Sequence, residues 1–116
     1  MTPRTLERGD LVVVDLGVVT GMEQAGIRPA VVLSNTLFNR AIPLITVAPL
    51  TSYKGGRFYA SEVLVRRGDG KLTRDSLILV HQMRTLSVKR VQRRLGSLEQ
   101  AAMNRVDDAV RTHLYL

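Results

Sequence analysis

Arg28 stands directly before Pro29, and Thr51 and Ser52 follow Pro49. Glu23 and Gln24 fall inside a glycine-punctuated stretch, residues 17–27, and Gln82 and Arg84 follow an apolar run that ends at Val80. A guanidinium donates paired, charge-assisted hydrogen bonds to phosphate oxygens, and hydroxyl and amide groups add further donors and acceptors. Residues of these types suit holding a polyanion. They do so together only if the strand ends that carry them converge on one shallow site.

The charge of the chain points the same way. Its 116 residues carry 17 Lys plus Arg against 10 Asp plus Glu, a formal charge of +7. Residues 1–24 contain Arg4 and Arg8 against Glu7, Asp10, Asp15 and Glu23, whereas residues 66–94 contain nine basic groups against Asp69 and Asp75. Such asymmetry favours a polyanionic partner, nucleic acid or an acidic peptide, over a uniformly solvated basic surface.

Other chemistries find little support. There is no cysteine, which removes disulfides, thiolate nucleophiles and cysteine zinc sites and fits a reducing compartment. Gly21, Gly26 and the Gly68-Asp69-Gly70 run lack the strand-to-helix setting of a phosphate-binding loop. His81 and His113 lie far apart in sequence and form no paired-histidine motif. His81 reads as a strand-end residue making a hydrogen bond, and nothing specifies a metal site from Asp10, Asp15 and Glu23. No cofactor is expected.

The elements that must position these residues are short. With 45% apolar and 23% charged residues, the chain suits one packed domain, residues 1–116. Its longest apolar runs are far too short to span a membrane, and Met1 to Asp10 has no apolar signal-peptide core, so a soluble cytoplasmic protein is expected. Strands are predicted at 11–16, 30–33, 44–48, about 60–65 and 77–80, with Pro49 ending the third. Residues 34–39 read as a turn or short helix, 51–57 as a basic loop, and 66–75 as a hairpin-like connection. Residues 88–95 fit either a helix or an irregular edge strand. The final helix is the clearest: Ser97 reads as its N-cap with Gln100 as capping partner. Leu98, Ala102, Val106, Val110 and Leu114 form an apolar stripe, with Arg105, Asp108 and Arg111 facing outward. A mainly β fold, a small curved sheet or barrel with a C-terminal helix, follows.

Four segments, in order, resemble the MazF/PemK family of toxin endoribonucleases: RGDLVVVDL (8–16), GMEQAGIRPAVVLSN (21–35), VAPLTS (47–52) and DSLILVHQMRTLSVKRVQRRLGSL (75–98). The last helix, with Met103 and Val106-Asp107, also fits. The resemblance implies a small SH3-like β-barrel of MazF/CcdB type with short helices, assembled as a homodimer, that cleaves single-stranded RNA without a metal. It implies that Arg28 and Thr51 are catalytic, with Ser52 beside them, that Glu23 helps organise the site, and that Gln82 belongs to it. Where many relatives carry an acidic residue before that glutamine, this chain has His81.

The expected reaction is attack by the RNA 2′-hydroxyl on the adjacent phosphorus, leaving a 2′,3′-cyclic phosphate and a 5′-hydroxyl; DNA lacks the nucleophile. Arg28 and Thr51 would stabilise charge on the phosphate oxygens. A guanidinium stays protonated at neutral pH and is a poor general base, so Glu23 is either the base or a group that orients Arg28. Arg66, Arg67 and Arg84 would extend a phosphate track, and Gln24, Tyr53, Lys54 and Arg57 on the two loops would contact RNA. Tyr53 and Phe58 either stack on unpaired bases or pack in the barrel. Arg90, Arg93 and Arg94 would meet the acidic, disordered segment of a cognate antitoxin. Two other readings stay open: a non-catalytic nucleic-acid-binding barrel, and a toxin of the related CcdB type that binds DNA gyrase.

Overall fold

Leu11–Val14 and Ala30–Leu33 are buried without a break, because the sheet they belong to is covered on both faces and no alternation is needed. The computed structural model describes residues 5–116; Arg4, counted above among the N-terminal charges, lies outside them. The strands are β1 (Asp10–Asp15), β2 (Ile27–Val32), β3 (Leu44–Ser52), β4 (Glu62–Val65), β5 (Ser76–Leu79), β6 (Arg84–Ser87) and β7 (Val91–Ser97), with helices α1 (Thr36–Ala41) and α2 (Gln100–Leu114). They form an antiparallel seven-stranded sheet in the order β4-β5-β3-β2-β1-β7, with β6 also on β3. The mainly β expectation holds, with a C-terminal helix and one short helix. The ladder runs open from β4 to β7 and does not close.

One face of the sheet carries Leu11, Val31, Ala48, Leu50, Val63, Val65 and Ile78 against Ala102, Met103, Val106 and Ala109 of α2. The other carries Val12, Val14, Ala30, Val32, Ile45 and Val47 with Leu86. The helix stripe behaves as its spacing predicts up to Val106. Val110 is only partly buried and Leu114 is exposed, since the helix runs past the sheet edge.

Two expectations need correction. Pro49 does not end the third strand; it is buried within β3, opposite Ala30. The amide of Leu33 bonds the Thr46 carbonyl at 2.8 Å, so by the alternation of antiparallel ladders Ala30 and Pro49 form a non-hydrogen-bonded pair. The nitrogen of Pro49 therefore faces away from β2. There β5 pairs with Leu50–Ser52 and β6 with Leu44–Val47, so Ala48 and Pro49 face the five-residue excursion 79–83. No ladder bond is lost by placing proline at that gap.

Second, Ser97 does not cap α2. It ends β7, and its hydroxyl donates to Asp10 Oδ1 at 3.1 Å while accepting from Arg94. Glu99 occupies the cap position without a side-chain cap bond, and its amide donates instead to Asp69 Oδ1 at 3.0 Å. Residues 88–95 follow the second of their two readings: a 3-10 turn at 88–90 leads into β7, an edge strand on β1 with two register shifts.

The 66–75 connection that supplies Asp69 is seated on β7 by two glycines. A Cβ on Gly96 would stand 2.8 Å from the Gly70 carbonyl oxygen. The Arg8-Gly9-Asp10 run is likewise structural. Arg8 pairs with Asp107 of α2, and Asp10, 1% exposed, accepts from the Glu7 amide, Ser97 and Arg94.

Candidate functional site

Two prolines open a seam in the sheet at the point where the candidate residues lie. Pro29 would face Leu50 with its amide if it had one; lacking it, the β2–β3 ladder ends at Ala30 and Pro49. Continuing that register by two residues sets Arg28 opposite Thr51, on the same sheet face. The two strands diverge around a cleft of about 290 Å³ lined by Arg28, Thr51, Ser52, Thr73 and Arg74.

The Arg28 side chain is half-buried, and its Nε donates to the Ala25 carbonyl at 3.0 Å. That bond fixes the plane of the guanidinium and leaves both Nη groups without a partner among the described residues. Such an arrangement is ready for two non-bridging phosphate oxygens. Thr51 and Ser52 add hydroxyl groups on the same cleft. Arg74, which sequence reasoning left among the general basic residues, lines it too and is exposed, its guanidinium without a partner among the described residues. The signal that could have found it is its position two residues before β5, whose Ser76 pairs with Ser52.

A second cleft, about 490 Å³, shares Ser52, Thr73 and Arg74 with the first and continues to Tyr53, Lys54 and Arg67. Here Asp75 tempers the positive charge. Its carboxylate accepts from the Arg67 amide at 2.8 Å and pairs with Arg66 at 3.0 Å. Those two contacts, the amide first, hold its pKa below the ordinary 3.8. Arg66 is thus committed to Asp75 and lines neither cleft, while the Arg67 guanidinium has no partner among the described residues. Arg57 is exposed and lines neither of these two clefts. Tyr53 donates to the Gly56 carbonyl at 2.6 Å and meets Phe58 edge-on, ring centroids 5.9 Å apart. The two aromatics therefore order the 53–58 loop in this state.

Glu23, Gln24, Gln82 and Arg84 gather elsewhere, around a third cleft of about 500 Å³ across Pro49 from the first. The β1–β2 loop is pinned there by the Gln24 amide, which donates to Gln82 Oε1 at 2.7 Å. Arg84 donates to the Leu16 carbonyl at 3.3 Å. Glu23 is exposed and makes no ion pair with Arg28, so the group that orients Arg28 is the Ala25 carbonyl.

His81 lies on the wall of this cleft, its Nδ1 3.3 Å from Ser61 Oγ, as a strand-end hydrogen bond predicts. Its ring also meets His113 of α2 at 6.4 Å between centroids, a proximity their sequence separation did not suggest. Among the described residues no group of three metal-ligating side chains is assembled. Asp10 is buried in its own network and Asp15 accepts from the Gly17 amide.

Comparison with known proteins converges on one family. The model of the PemK-like, MazF-like toxins of type II toxin–antitoxin systems matches residues 7–114. An endoribonuclease MazF of Staphylococcus epidermidis is 36% identical over 105 residues, covering 90% of this chain and 88% of that protein. Among solved structures, MazF from Deinococcus radiodurans superposes with a TM-score of 0.83 at 24% identity, covering 98% of this chain and all (100%) of that one. A mycobacterial endoribonuclease in complex with its cognate antitoxin gives 0.79 at 24% identity and 96% coverage of both chains. At such identities the structural matches speak for the fold.

Proposed function

The chain belongs to the PemK-like, MazF-like toxin family of type II toxin–antitoxin systems and is an endoribonuclease of that family; on this premise we propose that it cleaves single-stranded RNA by transphosphorylation at the Arg28–Thr51 cleft. The observation that carries the proposal is the convergence of Arg28, with both Nη groups free, and Thr51 on one opened seam. The 2′-oxygen attacks phosphorus and loses its proton; the bond to the 5′-oxygen breaks, and that oxygen gains a proton. The products are a 2′,3′-cyclic phosphate and a 5′-hydroxyl.

Arg28 and Thr51 stabilise the charge that builds on the non-bridging oxygens, without need of a metal. Arg74 and Arg67 hold neighbouring phosphates along the joined clefts. To Glu23, an exposed carboxylate of the neighbouring cleft, we assign acceptance of the 2′-hydroxyl proton.

As a toxin it acts with an antitoxin, and an acidic disordered segment of that partner suits its basic surface. Arg94 on β7 and Arg90 just before it are tethered to Asp10 and to the Asp15 carbonyl, whereas Arg93 on β7 has no partner among the described residues. A homodimer is supported by an apolar cleft of about 630 Å³ lined by Leu6, Ile42, Pro43, Ile45 and Val88, with Leu37 and Phe38 exposed on the adjoining helix. No helix among the described residues is long and apolar enough to cross a membrane, and action on RNA fits a cytoplasmic site.

The test is incubation with unstructured RNA and its DNA counterpart in EDTA. Discrete RNA cuts with 5′-hydroxyl ends, lost in Arg28→Ala, support the reading. An Arg28→Ala variant that cuts like wild type removes it.

A further inference from the structure

The chain has two histidines, His81 and His113, and the cleavage reading uses neither. The fold brings them together from two elements: His81 stands in the 3-10 turn Val80–Gln82 and His113 in the last turn of α2. Their ring centroids are 6.4 Å apart with the planes at 61°. This is not core packing, because His113 is exposed and His81 only half-buried. Two imidazoles facing each other at the surface are a donor set suited to zinc and its neighbours in the first transition row.

Ser61 holds His81 in two ways. Its carbonyl accepts from the Val80 amide at 3.1 Å, and its hydroxyl lies 3.3 Å from His81 Nδ1. With Ser61 accepting from Nδ1–H, the ring lone pair is on Nε2; a hydrogen bond of this kind orients metal-binding histidines generally. His113 approaches from a helix end whose last amides, of Tyr115 and Leu116, close on the Arg111 carbonyl. The negative pole of that helix favours a cation nearby. Of the charged groups around the pair, Asp108 and Arg111 on α2 bind each other at 3.2 Å. Arg84, on the cleft wall with His81, is turned to the Leu16 carbonyl at 3.3 Å, and Glu23 on that wall adds negative potential. The distances fit after one small movement. Zinc–nitrogen bonds of about 2.0–2.1 Å set two ring centroids about 5–5.5 Å apart on a tetrahedral ion. The observed separation is larger by about 1 Å, a gap that rotation of the exposed His113 side chain covers.

We propose that His81 and His113 form a two-histidine site for a divalent cation of the zinc class, with water in the remaining positions, and that the bound ion clamps the end of α2 to the turn 80–82. Among the described residues no group of three metal-ligating side chains is assembled, so the site is a reversible, accessory one. It takes no part in strand cleavage and is independent of the RNA-cleaving reading.

The test is calorimetric titration of the protein, free of any histidine tag, with zinc near neutral pH, and with magnesium as a hard-cation control. One zinc per chain should bind, and no magnesium. His81→Asn and His113→Ala should each weaken zinc binding about 10-fold or more, since losing a ligand costs at least as much as losing a ligand's orienting partner. Urea unfolding confirms that each variant is folded and gives a second readout. Zinc should raise the midpoint of the wild type and leave that of His113→Ala where it was, because only the folded chain brings the two rings together. No saturable zinc binding, undiminished affinity in either histidine variant, or an unmoved wild-type midpoint overturns the proposal. A zinc-dependent rise in molecular mass by light scattering also overturns it, since the ion would then be bridging separate molecules.

Discussion

Replacing Arg28 by lysine separates charge from geometry at the proposed site. Arginine spends Nε on the Ala25 carbonyl, 3.0 Å away, and still offers two coplanar Nη groups to the cleft. A lysine has one nitrogen. If that nitrogen reaches the phosphate it cannot also hold Ala25, and it presents a point charge in place of a fork. The loss is therefore at least one directed donor to the developing oxyanion, which costs on the order of 100- to 1000-fold in kcat. Ground-state attraction for the strand survives with the charge, so KM should move by less than about 3-fold. Stability should fall by no more than roughly 1 kcal/mol, the worth of one hydrogen bond on a half-exposed side chain. Single-turnover cleavage of a short fluorescent RNA, with urea unfolding as control, reads all three quantities. An Arg28→Lys variant within 3-fold of wild-type kcat would refute the claim that the forked geometry does the chemistry.

Other expectations follow from particular contacts. Arg74→Ala should raise KM several-fold with kcat nearly unchanged and reduce the slope of log affinity against log salt by about 0.7, the value of one phosphate contact on a single strand. Gly96→Ala should cost about 1–3 kcal/mol or more, read by urea denaturation, because the new Cβ would sit 2.8 Å from backbone oxygen of Gly70 that no rotamer change can move. Asp75, held below its ordinary 3.8 by the Arg67 amide and Arg66, contributes order to the 66–75 loop that is complete above that value and is lost as pH falls through its lower folded value. Arg67 amide exchange, compared between wild type and Asp75→Asn near neutral pH, should show less protection in the variant.

Much of this was legible in the sequence, and the failures have physical causes. The runs LVVV and AVVL announce buried strands, and the Leu98–Ala102–Val106 spacing announces the helix face. Pro49 was misread because strand disruption by proline depends on which neighbour its nitrogen faces. That is set by ladder parity and by the 79–83 excursion, both long-range facts. Ser97 looked like a cap because its hydroxyl is suited to one, but buried Asp10 and nearby Arg94 claim it.

Within the candidate site, Arg28, Thr51 and Ser52 line one cleft, a convergence that their strand-end positions in the sequence left conditional. Glu23 belongs to the neighbouring cleft, since a loop of this length can place a side chain on either side of Pro49. Arg74 was hidden by its neighbours: among nine basic residues in 66–94, only the fold distinguishes the one on the cleft from Arg66, which Asp75 engages.

The central claim is that RNA supplies the nucleophile and this chain's Arg28 and Thr51 receive the charge. The most direct measurement is cleavage of an RNA with a single 2′-deoxy nucleotide immediately 5′ of the mapped cut, beside the all-ribose RNA, in EDTA. The account predicts that the single substitution abolishes the cut while binding of the strand persists. Cleavage at that position continuing without the 2′-hydroxyl would contradict it.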